Sequence, residues 1–325
     1  MIITGTLVLL FVAFQLWGTD VQEASAQGDL STELTEQFAV AEEFQELIAT
    51  GSWESDQVPT GDEAALLSLL NPARGDAVAR IEMPSIGVDK IIVNGVAVED
   101  LRRGPGYYTE TSPIGTAGNT AIAGHRTTYG APFSRVDELA PGDEITVTSA
   151  QGQFTYRVIE PEVAYADFLG ETLDVLDGSI IVRPTATWVL NDFGDNRLTL
   201  TACHPKLSSR ERIIVAAELV EEPAEVIEIP AQVDETPAIE DSPAEETEEP
   251  VLDLDEGLGG EREAIAPATA WMGGAVVLWW LSGFIGRRLG RGRFQRVAVR
   301  LVGLVPVAVC VWLSFELIDR ALPAA

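Results

Sequence analysis

Residues 197–219 read RLTLTACHPKLSSRERIIVAAEL. On an extended chain, successive side chains point to opposite faces. Leu198, Leu200 and Ala202 therefore share one face, and Arg197, Thr199, Thr201 and Cys203 share the other. The first is the core face, so Cys203 is expected at a strand end, pointing away from the apolar interior. Without that alternation a cysteine reads as a small buried hydrophobe. Pro205 cannot continue a central ladder. The strand stops at the cysteine, and RIIVAAEL from Arg212 forms the next one. A loop this short joins antiparallel neighbours. Arg212 opens the returning strand where Cys203 closes the outgoing one, which brings the two together. A guanidinium beside a thiol favours the thiolate, and it can also stabilise an oxyanion. A salt bridge at a barrel mouth is the plainer use of such an arginine.

Further apolar, β-branched runs lie upstream: ARIEMP, KIIVNGV, NTAIAG, EITVTS, QFTYRVIE and SIIVRP. Gly, Pro, Asp and Asn punctuate them. Many short strands so bounded predict an all-β barrel or sandwich from about Asp76 to Val220. About 150 residues is the size of one typical domain.

The 325 residues carry a formal charge of −30 yet are 46% hydrophobic. Charge and apolarity are segregated along the chain. Residues 1–18 open with MIITGTLVLLFVAFQLW, a membrane anchor or, given ASA at Ala24–Ala26, a signal peptide. Residues 19–75 form a spacer. In it STELTEQFAVAEEFQELIATG predicts a short amphipathic helix capped at Ser31 or Thr32, with Phe38, Ala41, Phe44 and Leu47 near helical spacing. Residues 76–220 are the globular domain. Residues 221–263 are dense in Glu, Asp, Pro and Ala, which predicts an extended disordered linker. Residues 264–286 and 297–318 are apolar enough to span a membrane. Between them, residues 287–296 hold Arg287, Arg288, Arg291, Arg293 and Arg296. Loops this basic stay cytoplasmic, which puts the globular domain outside a multi-pass membrane protein. The acidic balance argues against nucleic acid, whose phosphates need Lys and Arg.

The candidate chemical residues are few. The chain has two cysteines and two histidines. Cys310 lies in an apolar segment, so at most three soft ligands remain and no zinc spacing is present; no cofactor or metal is expected. A small-residue strand ends at Gly124 within AIAGHRTTYGAPF, and His125 opens the loop, where functional side chains concentrate. His204 adjoins Cys203 and so points to the opposite face. His125 is the preferred partner, with His204 shaping the pocket.

The pieces ARIEMPSIGVDKIIVNGV, GPGYYTETSPIGTAGNTAIAGHRTTYGAPF, LAPGDEITV and LTLTACHPKLSSRERIIVAAEL together resemble the sortase family, in particular class E sortases of high-GC Gram-positive bacteria. The resemblance implies a closed eight-stranded β-barrel with short helices, here with transmembrane helices at both ends. By position Cys203 resembles the nucleophile, His125 the histidine and Arg212 the arginine, with Arg210 the fallback if the loop register differs. Thr201 matches a position that binds substrate backbone, and His204 and Arg210 join it as substrate-binding candidates. The implied reaction is transpeptidation through a thioester. Surface proteins bearing an L-P-x-T-G or L-A-x-T-G sorting signal are cut between Thr and Gly and passed to a cell-wall precursor amine. The family's TTC is Thr201-Ala202-Cys203 here, and no calcium-site acids transfer. A pilin-polymerising sortase and a catalytically inactive membrane-anchored scaffold are the alternatives. An L,D-transpeptidase would need an S-x-G-C-type motif, which Ala202-Cys203-His204 does not supply.

Overall fold

The structure is a computed structural model, and it describes residues 9–12, 14–43, 69, 71–224, 254, 264–289 and 293–321. Phe44, Leu47, the linker apart from its flanks and Leu254, and residues 1–8 of the N-terminal apolar run lie outside the described residues. The chain divides into two compact units, Thr19–Leu258 and Met1–Gly18 with Gly259–Ala324, leaving aside the last residue.

The first unit carries the strands. They are β1 (Ala77–Met83), β2 (Val88–Asn94), β3 (Gly106–Tyr107), β4 (Asn119–Ala123), β5 (Glu144–Ser149), β6 (Gly152–Val158), β7 (Asp174–Val175), β8 (Ile180–Val182), β9 (Arg197–His204) and β10 (Glu211–Leu219). Each upstream run named above contributes one strand. The two-residue strands β3 and β7 have no run of their own to announce them.

Eight strands close a barrel in the order β6-β5-β1-β2-β3-β4-β9-β10, with β10 returning to β6. Tight turns set the β1–β2 and β5–β6 hairpins, which meet at Met83↔Val88 and Ser149↔Gly152. Gly87 turns the first with φ +71° and Gly152 the second with φ +144°, values that suit glycine. Two pairings are parallel, β2–β3 and β4–β9. Strand β10 serves two partners along its length. Its start pairs with β8 at Arg212↔Val182, and its end pairs with β6 at Ala217↔Val158. The barrel is therefore split at the end where Arg212 lies.

The alternation in β9 sorts its side chains as expected. Leu198, Leu200 and Ala202 join Ile81, Val147 and Ile213 inside the barrel. The opposite face, however, is not open. Cys203 packs in a second buried cluster with Ala123, Val182, Ile214, Tyr165 and Leu190. Residues 164–193 cover this side, so a central strand is buried on both faces. Cys203 points away from the barrel core yet is 0% exposed.

Before the barrel runs helix α1 (Thr19–Glu43). It starts well before the expected caps. Thr32 lies mid-helix, its Oγ1 donating to Gly28 O at 3.1 Å. Gly28 and the polar stretch around it have weak local propensity, and tertiary docking overrides that. Leu30 and Leu34 bury against Ala77, Ile91 and Val93. Beside them Gln27 Nε2 donates to Ile91 O at 3.0 Å, and Ile91 N donates back to Gln27 Oε1 at 2.7 Å. Two one-turn helices follow, α2 (Val98–Leu101) and α3 (Pro161–Ala164).

In the second unit, α4 (Ile265–Leu289) and α5 (Arg293–Ala321) pair. Ser314 Oγ donates to Ala268 O at 3.0 Å, and the Phe14 ring meets Trp312 at 4.9 Å. Windows at Ile265–Ile285 and Val302–Asp319 are long and apolar enough to cross a membrane, with mean hydropathy 1.4 and 1.8. Trp271, Trp279 and Trp280 project from α4 into the surroundings.

Candidate active site

Register pairs two of the three expected residues and leaves the third just past the end of a neighbouring ladder. Cys203 and Arg212 are directly opposed in the β9–β10 ladder. Opposed residues of an antiparallel pair point to the same face. On the other side of β9, β4 runs parallel with Ala123 level with Thr201. Gly124 N extends that ladder to Thr201 O at 3.0 Å. His125 lies two residues past Ala123, and Cys203 two past Thr201. β4 ends at Ala123, so His125 follows on the chain segment that neighbours the end of β9.

His125 is 1% exposed, and its Nδ1 has no hydrogen-bond partner among the described residues. Burial, seconded by the Arg102 charge, pushes its pKa down from 6.5 to about 3. The imidazole is thus neutral at pH 7. Tyr129 lies 5.4 Å away ring to ring, and the Arg102 guanidinium sits 5.3 Å over the Tyr129 ring. The loop after His125 is held from both ends. Phe133 N donates to His125 O at 3.0 Å. A Cβ on Gly124 would meet the Phe133 ring at 2.6 Å, which explains glycine there. Tyr129 and Ala131 adopt positive φ, 53° and 40°. Helix α1 fixes that strained turn, with Thr19 Oγ1 accepting from Tyr129 N at 3.3 Å and Asp20 Oδ1 from Gly130 N at 2.9 Å. The next turn of α1 brings Glu23, buried and paired with Lys90 at 2.6 Å, against Gly130.

Arg212 is 0% exposed. Its Nη1 donates to Ser209 O at 2.9 Å and Glu211 O at 3.0 Å, and its Nε donates to Leu254 O at 3.2 Å. Thr201 is buried and shares a 3.3 Å hydrogen bond with Tyr108 Oη. His204 closes β9 half-buried. Arg210 sits exposed in the loop, its Nε 3.3 Å from Ser208 Oγ, outside the cluster.

One residue at the site went unassigned in the sequence reading. Arg126 is fully buried beside His125 and pairs with Asp137 at 2.6 Å. Its Nη1 reaches Cys203 O at 3.5 Å and His204 Nδ1 at 3.3 Å. Burial acts to raise the Asp137 pKa, but the hydrogen bond and charge of Arg126 hold it below the ordinary value. His204 is depressed by burial and by Arg126. The signal in the sequence was its place in AGHR, directly after the candidate histidine.

Depression of His125 makes stability pH-dependent. Its folded pKa lies below its unfolded one, so between about pH 3 and 6.5 only the unfolded chain binds the proton. The stabilisation is complete above pH 6.5 and falls by about 1.4 kcal/mol per pH unit on acidification. Wild type should lose roughly 2 kcal/mol between pH 6.5 and 4.5 beyond the loss in His125→Asn. Urea midpoints read by pulse proteolysis of the barrel check this. Parallel pH slopes for the two proteins would place the proton uptake elsewhere.

Comparison with known proteins supplies the frame. The Sortase domain profile matches residues 81–220. Sortase SrtE1 of Streptomyces coelicolor is 28% identical over 228 residues, which is 68% of this chain and 55% of that protein. The chain thus spans about half the length of that relative. Sortase D of Bacillus subtilis is 28% identical over 144 residues, 44% of this chain and 63% of that one. The solved sortase E of Streptomyces avermitilis is 31% identical over 46% of this chain and 93% of its own, with TM-score 0.38.

Proposed function

We propose that the chain, whose residues 81–220 match the Sortase domain profile, is a class E-like cysteine transpeptidase acting through Cys203, His125 and Arg212. One observation carries the reading: Cys203 has Arg212 directly across the β9–β10 ladder, and His125 follows two residues after the end of the neighbouring β4–β9 ladder. The substrate class is a surface protein whose C-terminal signal resembles L-A-x-T-G or L-P-x-T-G.

Neutral imidazole decides the order of proton movements. His125 accepts the Cys203 thiol proton as sulfur attacks the threonine carbonyl carbon. The S–C bond forms, and the carbonyl electrons move onto oxygen. Arg212 supplies N–H groups on that side of the strand, for the oxyanion or for the substrate's carbonyls. When the tetrahedral species collapses, the C–N bond to glycine breaks and imidazolium protonates the leaving amine. A low imidazolium pKa makes that step a strong-acid donation. The remaining thioester is resolved by an amine, whose proton returns through His125. Thr201 lies two residues back on the same face, where it can meet substrate backbone.

The second unit fits an anchoring role. Helices α4 and α5 form a membrane hairpin with the arginines of residues 287–296 on the cytoplasmic side, so the barrel faces the exterior. There the cell-wall precursor amine is available.

Full-length protein in detergent should cleave quenched LAxTG or LPxTG peptides between Thr and Gly. Hydroxylamine should speed turnover and appear in the product as a threonyl hydroxamate, since it intercepts a thioester. Absence of cleavage of both peptides would end this reading.

A further inference from the structure

One contact at the site plays no part in that chemistry. Leu254 comes from the acidic segment beyond the barrel, within the sequence VLDLDEG at 251–257. Leu254 is 0% exposed and belongs to the buried cluster that contains Cys203, Val182 and Ile214. Its carbonyl accepts from Arg212 Nε at 3.2 Å. A leucine amid so much Glu, Asp and Pro has no local core in which to bury itself. Its burial depends on the barrel.

An apolar side chain buried in the cluster that holds the thiol, with its backbone carbonyl on the guanidinium, is how an extended peptide would bind there. We propose that the surface beside Cys203 and Arg212 binds this chain's own acidic segment, with Leu254 as the anchor, as a tethered competitor of incoming peptide. The occupancy stands on the contacts of Leu254 alone, whereas the competition rests on the function proposed above.

Two further facts fit such an occupant. The residues after Leu254 are Asp255, Glu256 and Gly257, which hold no Thr–Gly bond of the kind the site would cut. The segment is also covalently attached to the end of β10. Tethering of this kind gives effective concentrations on the order of millimolar, so a modest contact keeps the site filled. Substrate then enters only by displacing it, and a weak chance peptide does not.

The test uses full-length protein carrying Cys310→Ala, which leaves Cys203 as its one thiol. Iodoacetamide alkylation of Cys203 is timed with Leu254 intact, with Leu254→Asp and with Leu254→Met. Leu254→Asp should react roughly tenfold faster, because burying a leucine side chain is worth at least that factor. Leu254→Met should stay within about twofold of the parent, since the swap conserves volume. With peptide substrate, Leu254→Asp should lower KM by a similar factor and leave kcat unchanged. Equal alkylation rates in Leu254→Asp and the parent would overturn the proposal. Faster alkylation without peptide turnover in any variant would leave the occupancy standing and remove the transpeptidase reading instead.

Discussion

Cys203→Ala should leave the barrel folded and reduce peptide turnover by at least about 10⁴-fold, to the uncatalysed background. The size of the effect follows from the proposed chemistry. Neither methyl nor neighbouring water can form the acyl intermediate, and His125 is then a base without a nucleophile. The structural cost is small by comparison. Cys203 contributes one sulfur to the outer cluster, and its neighbours Leu198, Leu200 and Ala202 hold β9 from the other face. Eight register pairs to β10 remain. Loss of so few buried atoms costs about 1 kcal/mol. Cys203→Ser probes the same point more closely, because a hydroxyl keeps the shape but releases its proton to a weak imidazole base far less readily. Both variants should show near-parental urea midpoints and no hydroxamate product. Turnover by Cys203→Ala within tenfold of the parent would show that the sulfur is not the attacking atom.

The hairpin that carries this prediction was legible because its information is local. Alternation in RLTLTAC and the proline after it set which side Cys203 faces and where β9 ends. A short loop then had to place Arg212 opposite. Pairings between distant segments were not legible in the same way. Nothing in NTAIAG states that it lies parallel to β9, yet that pairing is what carries the chain toward the end of β9 just before His125. The preference for His125 over His204 came instead from facing and loop position. Burial of the outer face escaped notice because the covering residues, Tyr165 and Leu190, lie in an irregular stretch with no period to read. The true start of α1 was hidden for a related reason. Its first turn is held by the backbone of Tyr129 and Gly130, a contact that no local pattern encodes. Leu254 is the extreme case. Composition marks its segment as a linker, and only its burial against the barrel separates one leucine from the rest.

Arg212→Lys should lower kcat/KM by about 10²–10³, nearly as much as Arg212→Ala, while Arg210→Ala should stay within about twofold. Keeping the positive charge does not rescue the site, because the geometry of Arg212 depends on its fork. Nη1 reaches two carbonyls, Ser209 O and Glu211 O, both where the loop leads into β10. That anchoring fixes the plane of the guanidinium opposite Cys203. A lysine ammonium is a point donor on a flexible stem and cannot hold the loop carbonyls and face the reacting carbon together. Loss of one preorganised oxyanion donor in other enzymes has the magnitude given above. Arg210 offers the control, since it shares the charge and the loop but is exposed and turned to Ser208. A purely structural arginine would show a different pattern. Its loss would lower the urea midpoint and raise the unfolded fraction without changing the rate of the folded molecules. Kinetics normalised to Cys203 reactivity therefore separate the two roles. A fall confined to the folded fraction, or a larger loss in Arg210→Ala than in Arg212→Lys, would move the electrostatic role away from the residue that register places across from the thiol.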